Sequence, residues 1–453
     1  MHNLSRVTKI VVLLAFAISI FTGCGDSGTP SQYNPGGDTN TIININSASQ
    51  LNEIRNNLNG RYRLTADITL PSSDWTPIGS SSYSSFRGEF DGGGHKIKGL
   101  TVGTASAKNY AGLFGYVNSG VIKNLKLEYN YIYGDYAGAI AGYIYGGIIS
   151  NSIASGAFGY IDGDIAGGIA GGVELSTIIN SGSVGVVYGY TAGGGIAGGA
   201  LSSRIENCSS DVDVYTDPSV DDAMAGGITG YLERSTIIYC YNTGAIQGDI
   251  SGGIAGYAFN ATIKTCDNDG NVDAVSDAGG IAGYAILSVI DDCFNYGDVY
   301  AYIYDAGGIS GYTENALITN CYNEGYIDGY TAGGIAGELY YNSDVENCEN
   351  AGDVYAVSNA GGIAGYAEDG LITNCYNNGY IDGNNSGGIV GVLYYSDVEY
   401  CVNAGDVYAD NDSGGIAGSR YYPSTITVTG IYNTGYIYSS TGRSGSREGW
   451  WYN

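Results

Sequence analysis

A block of about 27 residues recurs along most of this chain, and each copy carries Gly-Gly-Ile-Ala-Gly or a close variant. A period this regular is typical of stacked supersecondary units, none of which buries its own apolar face. The repeat therefore predicts a long repetitive surface. The Ile position marks the copies, 26 to 32 residues apart, at Leu113, Ile140, Ile169, Ile196, Ile228, Ile254, Ile281, Ile309, Ile335, Ile363, Ile389 and Ile416.

Each copy contains three short segments rich in β-branched residues, as the copy at residues 333–355 illustrates. Its segments are Gly-Ile-Ala-Gly, Ser-Asp-Val-Glu-Asn-Cys and Asp-Val-Tyr, with turn residues between them. Segments of three to six residues indicate strands, and no copy has room for a helix of ten residues. We predict an all-β fold, a right-handed parallel β-helix (β-solenoid) of about 12 coils over residues 111–440, with three short strands per coil.

Stacking in register predicts columns of equivalent side chains. The residues of one column are all small or apolar, as an inward position requires. In chain order they are Leu125, Ser152, Ser181, Cys208, Cys240, Cys266, Cys293, Cys321, Cys348, Cys375, Cys401 and Ile431. Parallel Cβ vectors suit neither disulfides nor tetrahedral metal ligation, so we predict a structural ladder of free thiols, with oxidised pairs as the alternative.

A second column lies two residues further on and consists of Asn, which can hydrogen-bond along the stack. It holds Asn242, Asn268, Asn295, Asn323, Asn350, Asn377, Asn403 and Asn433. A Gly follows each Asn two residues later, and we expect a positive-φ turn there. These Gly residues are Gly244, Gly270, Gly297, Gly325, Gly352, Gly379, Gly405 and Gly435.

The two ends of the repeat region differ from its middle. Residues 41–110 predict a cap and the first, irregular coils. Ser47 and Gln50 fit a capping box, which predicts a short N-terminal capping helix with one apolar face formed by Leu51, Ile54 and Leu58. Such a helix would cover the open edge of the first coil. Residues 441–453 are expected to form a C-terminal tail or cap.

The first 23 residues predict a bacterial lipoprotein signal peptide. Arg6 and Lys9 precede an apolar stretch of 12 residues, which is short for a transmembrane helix. Phe-Thr-Gly-Cys24 resembles a lipobox, so Cys24 is the expected lipidation site; an ordinary cleaved signal with an incidental Cys is the alternative. Residues 24–40 are rich in Gly, Ser, Asn, Asp, Pro and Thr and predict a flexible tether.

The charge balance limits the choice of partners. The chain has 17 basic and 45 acidic residues, a formal net charge of −28, and only Arg204, Arg234 and Lys264 are basic between residues 127 and 419. Nucleic acid is excluded because phosphate neutralisation needs a basic track, and an anionic membrane surface would repel this body. We expect a monomer that contacts the membrane through its lipid anchor only.

No metal site or cofactor is predicted. A calcium loop of the form Asp-x-Asp-x-Asn-Gly with a closing Glu is absent from the sequence. Clusters such as Asp217, Asp221 and Asp222 leave open a weak surface calcium ion, although solvated loop charges are the simpler interpretation.

One strand of each coil alternates its polar residues from coil to coil. Asp-Val-Tyr alternates with Tyr-Ile-Asp, and the central Val or Ile is expected to point inward. Alternation keeps like charges two coils apart, which explains the pattern without any ligand. The functional alternative is a face for glycan or for a host or matrix surface, and its candidate residues are Tyr300, Tyr326, Asp328, Asp353, Tyr355, Tyr380, Asp382 and Tyr408.

An enzymatic function is a weaker interpretation of the same fold. A polysaccharide lyase needs positive charge beside the substrate carboxylate, and the coils have almost none. A glycoside hydrolase needs two carboxylates at a set separation. The strongest break in the repeat is residues 211–222, in the coil that is 32 residues long, where Asp221 and Asp222 are the candidate pair.

Gly-Gly-Ile-Ala-Gly followed by Ile-x-Asn-Cys-x-Asn-x-Gly resembles the GLUG repeat of bacterial surface proteins. The stretches Tyr62-Arg63-Leu64 and Trp75-Thr76-Pro77-Ile78-Gly79 resemble the region that often precedes those repeats. The resemblance implies a parallel β-helix outside the cell and links the chain to adhesin-like proteins and to IgA1-cleaving metallopeptidases. Those peptidases carry His-Glu-x-x-His in a separate domain; neither His2 nor His95 stands in such a motif, so peptidase activity is not implied.

These observations predict a lipid-anchored, non-catalytic β-helix at the outer membrane or cell envelope that serves adhesion or glycan binding. A secreted polysaccharide-active hydrolase and a purely structural spacer are the alternatives.

Overall fold

The computed structural model describes residues 41–104, 106–421, 425–427 and 432–440. Apart from Thr41, these residues belong to one compact unit that begins at Ile42. Its strands form three parallel sheets, which we call A, B and C, and successive coils add one strand to each sheet in turn. The fold is the predicted right-handed parallel β-helix, with about 14 coils against the expected 12.

Sheet A has 15 short strands. They are Ile42–Ile45, Arg61–Leu64, Glu89–Asp91, Val121–Lys123, Ile148–Ser150, Thr177–Ile179, Arg204–Glu206, Thr236–Ile238, Thr262–Lys264, Val289–Asp291, Leu317–Thr319, Asp344–Glu346, Leu371–Thr373, Asp397–Glu399 and Thr425–Thr427.

Sheet C has 12 strands, each formed by the residues that follow the Ile of the repeat signature. They are Phe114–Asn118, Ala141–Tyr145, Ala170–Glu174, Ala197–Leu201, Thr229–Glu233, Ala255–Phe259, Ala282–Ile286, Ser310–Glu314, Ala336–Tyr340, Ala364–Glu368, Val390–Tyr394 and Ala417–Tyr421.

Sheet B contains the remaining strands, and in many coils its strand is interrupted at the Asn–Gly turn. They are Ile68–Thr69, Lys96–Val102, Lys108–Ala111, Lys126–Gly138, Ile153–Gly167, Gly182–Gly194, Ser209–Thr216, Met224–Gly226, Tyr241–Asn242, Ile246–Gly252, Asp267–Asn268, Val272–Gly279, Phe294–Asn295, Val299–Ala301, Asp305–Gly307, Tyr322–Asn323, Ile327–Gly333, Glu349–Asn350, Val354–Gly361, Tyr376–Asn377, Ile381–Gly387, Val402–Asn403, Val407–Gly414, Tyr432–Asn433 and Ile437–Ser439.

The additional coils come from residues 42–91, whose sequence lacks the repeat signature. Arg61–Leu64 pairs with Ile42–Ile45 and then with Glu89–Asp91, which continues into the first repeat at Val121–Lys123. The α-helix Ala48–Glu53 lies between the first two strands and is followed by a 3₁₀ turn, Ile54–Asn56.

Ser47 caps this helix as predicted, but the side chain of Gln50 bonds the backbone N–H of Asn46 and not that of Ser47. Ser47 Oγ accepts a hydrogen bond from the Gln50 backbone N–H at 3.4 Å, and Gln50 Oε1 accepts one from the Asn46 N–H at 2.8 Å. Leu51 and Ile54 are fully buried in the same core as the coils, and Leu58 packs against that core partly buried. Burial of this apolar face holds the helix, which is too short to be stable alone.

Non-glycine residues with positive φ end the strands of sheets A and C. In sheet A the chain turns a corner at the residue directly after the strand, as at Asn347, whose φ is 53°. Asn tolerates this left-handed conformation better than most residues because its side chain can hydrogen-bond locally. The same corner of other coils is occupied by Asn180, Asn207, Tyr239, Thr265, Asp292, Asn320, Asn374 and Tyr400.

The expectation of a positive φ at the Gly column is wrong. Gly270, Gly325 and their equivalents do not have positive φ. They are required by close approach instead: a Cβ on Gly270 would lie 1.9 Å from the carbonyl oxygen of Gly244 in the preceding coil. The stack leaves no room for a side chain at this turn.

The Asn column forms a continuous hydrogen-bonded ladder. The Asn323 Nδ2 donates to Asn350 Oδ1 at 2.8 Å and to the Gly325 carbonyl oxygen at 3.0 Å, and Asn323 Oδ1 accepts from Asn295 Nδ2 at 2.8 Å. The same side-chain link repeats from Asn242 to Asn433 at 2.7 to 2.9 Å. Each Asn amide thus donates hydrogen bonds both to the Gly carbonyl oxygen of its own turn and to the Asn side chain of the next coil.

The eight cysteines of the predicted column are free thiols and all are buried in the core. Each Sγ lies near the carbonyl oxygen two residues earlier, for example 3.4 Å from Asp291 O for Cys293. Ser181 makes the same contact to Ile179 O at 2.9 Å, so Ser and Cys are interchangeable here. Burial, followed by the neighbouring sulfurs, raises the pKa of Cys293 well above its usual value.

We expect these eight thiols to be unreactive in the folded protein, because the thiolate is the nucleophile and burial disfavours it. A maleimide added to the native, reduced protein should leave Cys208 to Cys401 unlabelled, as read by mass spectrometry of the peptides. The same reagent in concentrated urea should label all eight. Rapid labelling of any of them without denaturant would contradict a closed thiol ladder.

Several sequence-based expectations lie outside the described residues. They concern the signal peptide at residues 1–23, the lipidation site Cys24, the tether at 24–40, Ile431 of the inward column, and the tail at 441–453. Within the described part of the chain, no helix has the length and apolar character needed to cross a membrane.

Candidate functional site

Strand pairing places the predicted ligand-face residues in two parallel columns on the outside of sheet B. In one column Tyr300 pairs with Asp328, Asp328 with Tyr355, Tyr355 with Asp382, and Asp382 with Tyr408. The intervening Val299, Ile327, Val354, Ile381 and Val407 are fully buried. The register therefore produces the coil-to-coil alternation of Tyr and Asp.

The tyrosines of the two columns contact one another across the alternation. Ring centroids are 5.7 Å apart for Tyr300 and Tyr326, 5.2 Å for Tyr326 and Tyr355, 5.6 Å for Tyr355 and Tyr380, and 5.2 Å for Tyr380 and Tyr408. Such spacings lie within the range of favourable aromatic pairs. We call this zigzag of five rings the tyrosine stripe.

The aspartates of the second column have a structural role that sequence reasoning missed. Asp298 Oδ1 accepts a hydrogen bond from the Tyr326 backbone N–H at 3.1 Å, and Asp353 Oδ1 accepts one from the Tyr380 N–H at 3.0 Å. Each carboxylate thus satisfies a backbone donor of the following coil. This contact adds a reason for the alternation besides the separation of like charges.

The stripe is less open to solvent than the two-residue period alone suggests. All five rings are half-buried, because each leans on its neighbours, and burial raises the pKa of Tyr326 from 10.0 to about 12. Burial also raises the pKa of Asp328, while Asp353 is exposed. The stripe therefore presents ring surfaces interrupted by carboxylates that are partly desolvated.

A groove on the same sheet, nearer the amino terminus, was not predicted. It has a volume of about 440 Å³ and is lined by tyrosines and aspartates of five coils, including Tyr188, Tyr215 and Asp273. Its wall contains Asp217 and Pro218, which belong to the longest coil. The irregular length of that coil was the available signal, but the sequence does not show that the extra residues border a depression.

The pair of carboxylates considered for hydrolysis does not line this groove. Residues 211–216 belong to the regular strand Ser209–Thr216, so the insertion is limited to the residues after Thr216. Asp221 is exposed, and Asp222 uses its backbone N–H to donate to Asp249 Oδ2 at 2.6 Å. In the described ranges, no group of three or more His, Cys, Asp or Glu side chains is arranged to hold a metal ion.

The class of protein is thus a tandem-repeat parallel β-helix with an aromatic and acidic outer sheet. The family profile described as the GLUG motif matches residues 189–215, 328–355 and 356–381. The chain therefore contains GLUG repeats at these three places, as the sequence resemblance predicted.

The chain is similar in sequence to a protein of Evansella cellulosilytica that is provisionally named a Gly-rich membrane protein. The two are 31% identical over 173 residues, which cover 33% of this chain and 19% of that protein. The matched part therefore spans about a fifth of the relative's length.

Two solved structures are similar in part. One, provisionally described as an immunoglobulin A1 protease from Bacteroides ovatus, is 24% identical with a TM-score of 0.43, covering 62% of this chain and 79% of that one. The other, an IgA1 protease, is 15% identical with a TM-score of 0.28, covering 87% of this chain and 21% of that one. At these values neither bears on activity.

Proposed function

We propose that this chain is a lipid-anchored protein of the cell surface that binds glycans through the outer face of sheet B, without catalysis. The observation that carries the proposal is the tyrosine stripe, in which five rings follow one another along the stack with carboxylates between them. The name of the Evansella relative and the lipobox-like sequence before Cys24 support a location at the cell envelope.

The chemistry of the stripe suits a sugar ligand. Aromatic faces pack against the apolar faces of pyranose rings, and carboxylate oxygens accept hydrogen bonds from vicinal hydroxyl groups. Asp328 and Asp382 lie beside the rings in the same column as Tyr355. A repeating ligand matches a repeating surface, because every second coil offers the same arrangement of Tyr and Asp, and weak contacts then add along one ligand chain.

The repetition also supports a non-catalytic role. Catalysis needs one distinguished set of groups, whereas the stripe offers equivalent Tyr–Asp pairs in successive coils. The net charge of −28 and the scarcity of basic residues favour neutral or cationic ligands over sulfated or uronate polymers. If no glycan binds, the alternative function, a rigid spacer without any ligand, would be favoured.

The stripe can be tested on an array of neutral and amino-bearing oligosaccharides with the purified full chain. The variant Tyr326→Ser, Tyr355→Ser, Tyr380→Ser should fold normally but bind at least about tenfold more weakly, since three ring contacts are lost, equivalent to about 1.4 kcal/mol. Binding measured by biolayer interferometry gives the affinity, and circular dichroism checks the fold.

A matched control is available on another corner of the coils. Tyr239 and Tyr400 are exposed and have positive φ, in a column where other coils carry Asn. The variant Tyr239→Asn, Tyr400→Asn removes exposed tyrosines without touching sheet B and should leave binding unchanged. Equal glycan binding by the stripe variant and the parent protein would refute the proposal.

A further inference from the structure

The groove on sheet B lies where the tyrosine pattern of the sheet is interrupted. One outer column of the sheet passes through it, with Asp162 paired to Tyr188, Tyr188 to Tyr215, Tyr215 to Gln247, and Gln247 to Asp273. All five of these residues line the groove. At the spacing of parallel strands, about 4.8 Å, the column is about 19 Å long.

The groove differs from the tyrosine stripe in shape and exposure. Tyr188 is 44% exposed and its ring stacks on that of Tyr215, with centroids 5.4 Å apart and planes 22° apart. Tyr190 is 53% exposed and Tyr302 is 71% exposed at the rim. The floor therefore presents the outer edges of two stacked rings, and the exposed rings of Tyr190 and Tyr302 also line the groove.

The charges of the groove are all of one sign. Asp162, Asp217 and Asp273 line it, and none of its lining residues is basic. The three basic residues of this part of the chain lie elsewhere: Arg204 and Lys264 are in sheet A, and Arg234 ends a strand of sheet C. Each is paired with a carboxylate there, at 2.8, 2.5 and 2.7 Å.

We propose that this groove binds a linear oligosaccharide whose sugars carry free amino groups, such as a glucosamine oligomer. The sugars would pack along the edges of the stacked rings of Tyr188 and Tyr215 and against the exposed rings of Tyr190 and Tyr302. Asp162 and Asp273, at the two ends of the column, would bind ammonium groups. A pyranose ring is comparable in length to one coil step, so several sugars fit along the column.

Two further features support a cationic ligand. Burial, with a smaller contribution from Asp164, raises the pKa of Asp162, and burial raises the pKa of Asp273, so an ammonium partner would relieve an existing electrostatic cost. Asp273 pairs with Tyr300, so the groove adjoins the first ring of the tyrosine stripe in the same column, but none of the five stripe rings lines the groove. The proposal for the groove does not depend on glycan binding by the stripe.

Titration calorimetry of the full chain with a glucosamine hexamer, and with the N-acetylglucosamine hexamer as comparison, tests the proposal. We expect the glucosamine hexamer to bind at least tenfold more tightly. The variant Asp162→Asn, Asp273→Asn should remove at least tenfold of that affinity, and Tyr188→Gln, Tyr215→Gln should do the same. Gln247 occupies the same column naturally, so amide side chains are compatible with the fold there.

Controls separate this site from general attraction of a polycation to an acidic protein. Asp369→Asn, Asp397→Asn removes the same charge from two exposed positions outside sheet B and should change affinity less than twofold. Absence of binding, equal affinity for the acetylated hexamer, or equal losses in groove and control variants would each overturn the proposal.

Discussion

Replacing Gly325 by Ala should lower the free energy of unfolding by about 3 kcal/mol or more. An added Cβ would lie 2.0 Å from the carbonyl oxygen of Gly297 and 2.7 Å from its carbon, both in the backbone of the preceding coil. Overpacking of a core costs about 1 to 3 kcal/mol when side chains can adjust. Here the obstacle is backbone, and Gly325 is itself held by the Asn323 amide, so the cost should reach the upper end or exceed it.

Urea denaturation followed by circular dichroism measures this loss. Gly182→Ser is the matched control, because Gly182 stands in register with Ile153 and Ser209, and the nearest atom to its added Cβ is Ser209 Oγ at 3.0 Å. That side chain can rotate away, so the control should change stability by less than about 0.5 kcal/mol. Similar behaviour of the two variants would contradict the close-approach explanation of the Gly column.

Asn323→Ala should cost about 3 kcal/mol through broken hydrogen bonds. The Asn323 amide is fully buried and has three partners, namely Asn295 Nδ2, Asn350 Oδ1 and the Gly325 carbonyl oxygen. Truncation removes one bond from each of these buried groups without giving water access. A buried group that loses its partner costs about 1 to 3 kcal/mol, and the neighbours keep only part of their bonding.

The same urea experiment measures the effect, with Cys321→Ser as control in the same coil. Cys321 is also buried, but Ser occupies its column at Ser152 and Ser181, and the Ser181 hydroxyl already bonds the carbonyl oxygen two residues earlier. We expect the control to cost less than about 1 kcal/mol. If the Asn and Cys variants were equally stable, the Asn ladder would not be a main stabilising element.

The sequence resemblance and the repeat period predicted the β-helix correctly, because equivalent residues in a stack must share one environment. The inward Val and Ile, the buried Cys column and the Asn ladder all follow from that condition. The count of coils was low because Arg61–Leu64 and Glu89–Asp91 pair in register without carrying the repeat signature. Backbone hydrogen bonding, which any side chain allows, extends the stack there.

The residue pattern alone could not assign the Gly column or the second Asp column. Gly at a turn fits either a positive φ or a close approach, and only the stacked backbones at Gly244 and Gly270 distinguish the two. Asp298 and Asp353 resemble surface charges until the backbone N–H of the next coil is seen beside them. Both roles involve atoms about 27 residues away, which local patterns do not contain.

The sequence by itself determined the period, the register and the identity of the outward tyrosines and aspartates, since these depend only on which residues recur at equal spacing. The tertiary structure alone decided which of those rings lean together and where the sheet forms a groove. The position of the groove depends on the longest coil, because its extra residues after Thr216 form part of the groove wall beside coils of regular length. The aligned Asp162, Tyr188, Tyr215, Gln247 and Asp273 become one site only when five coils are stacked.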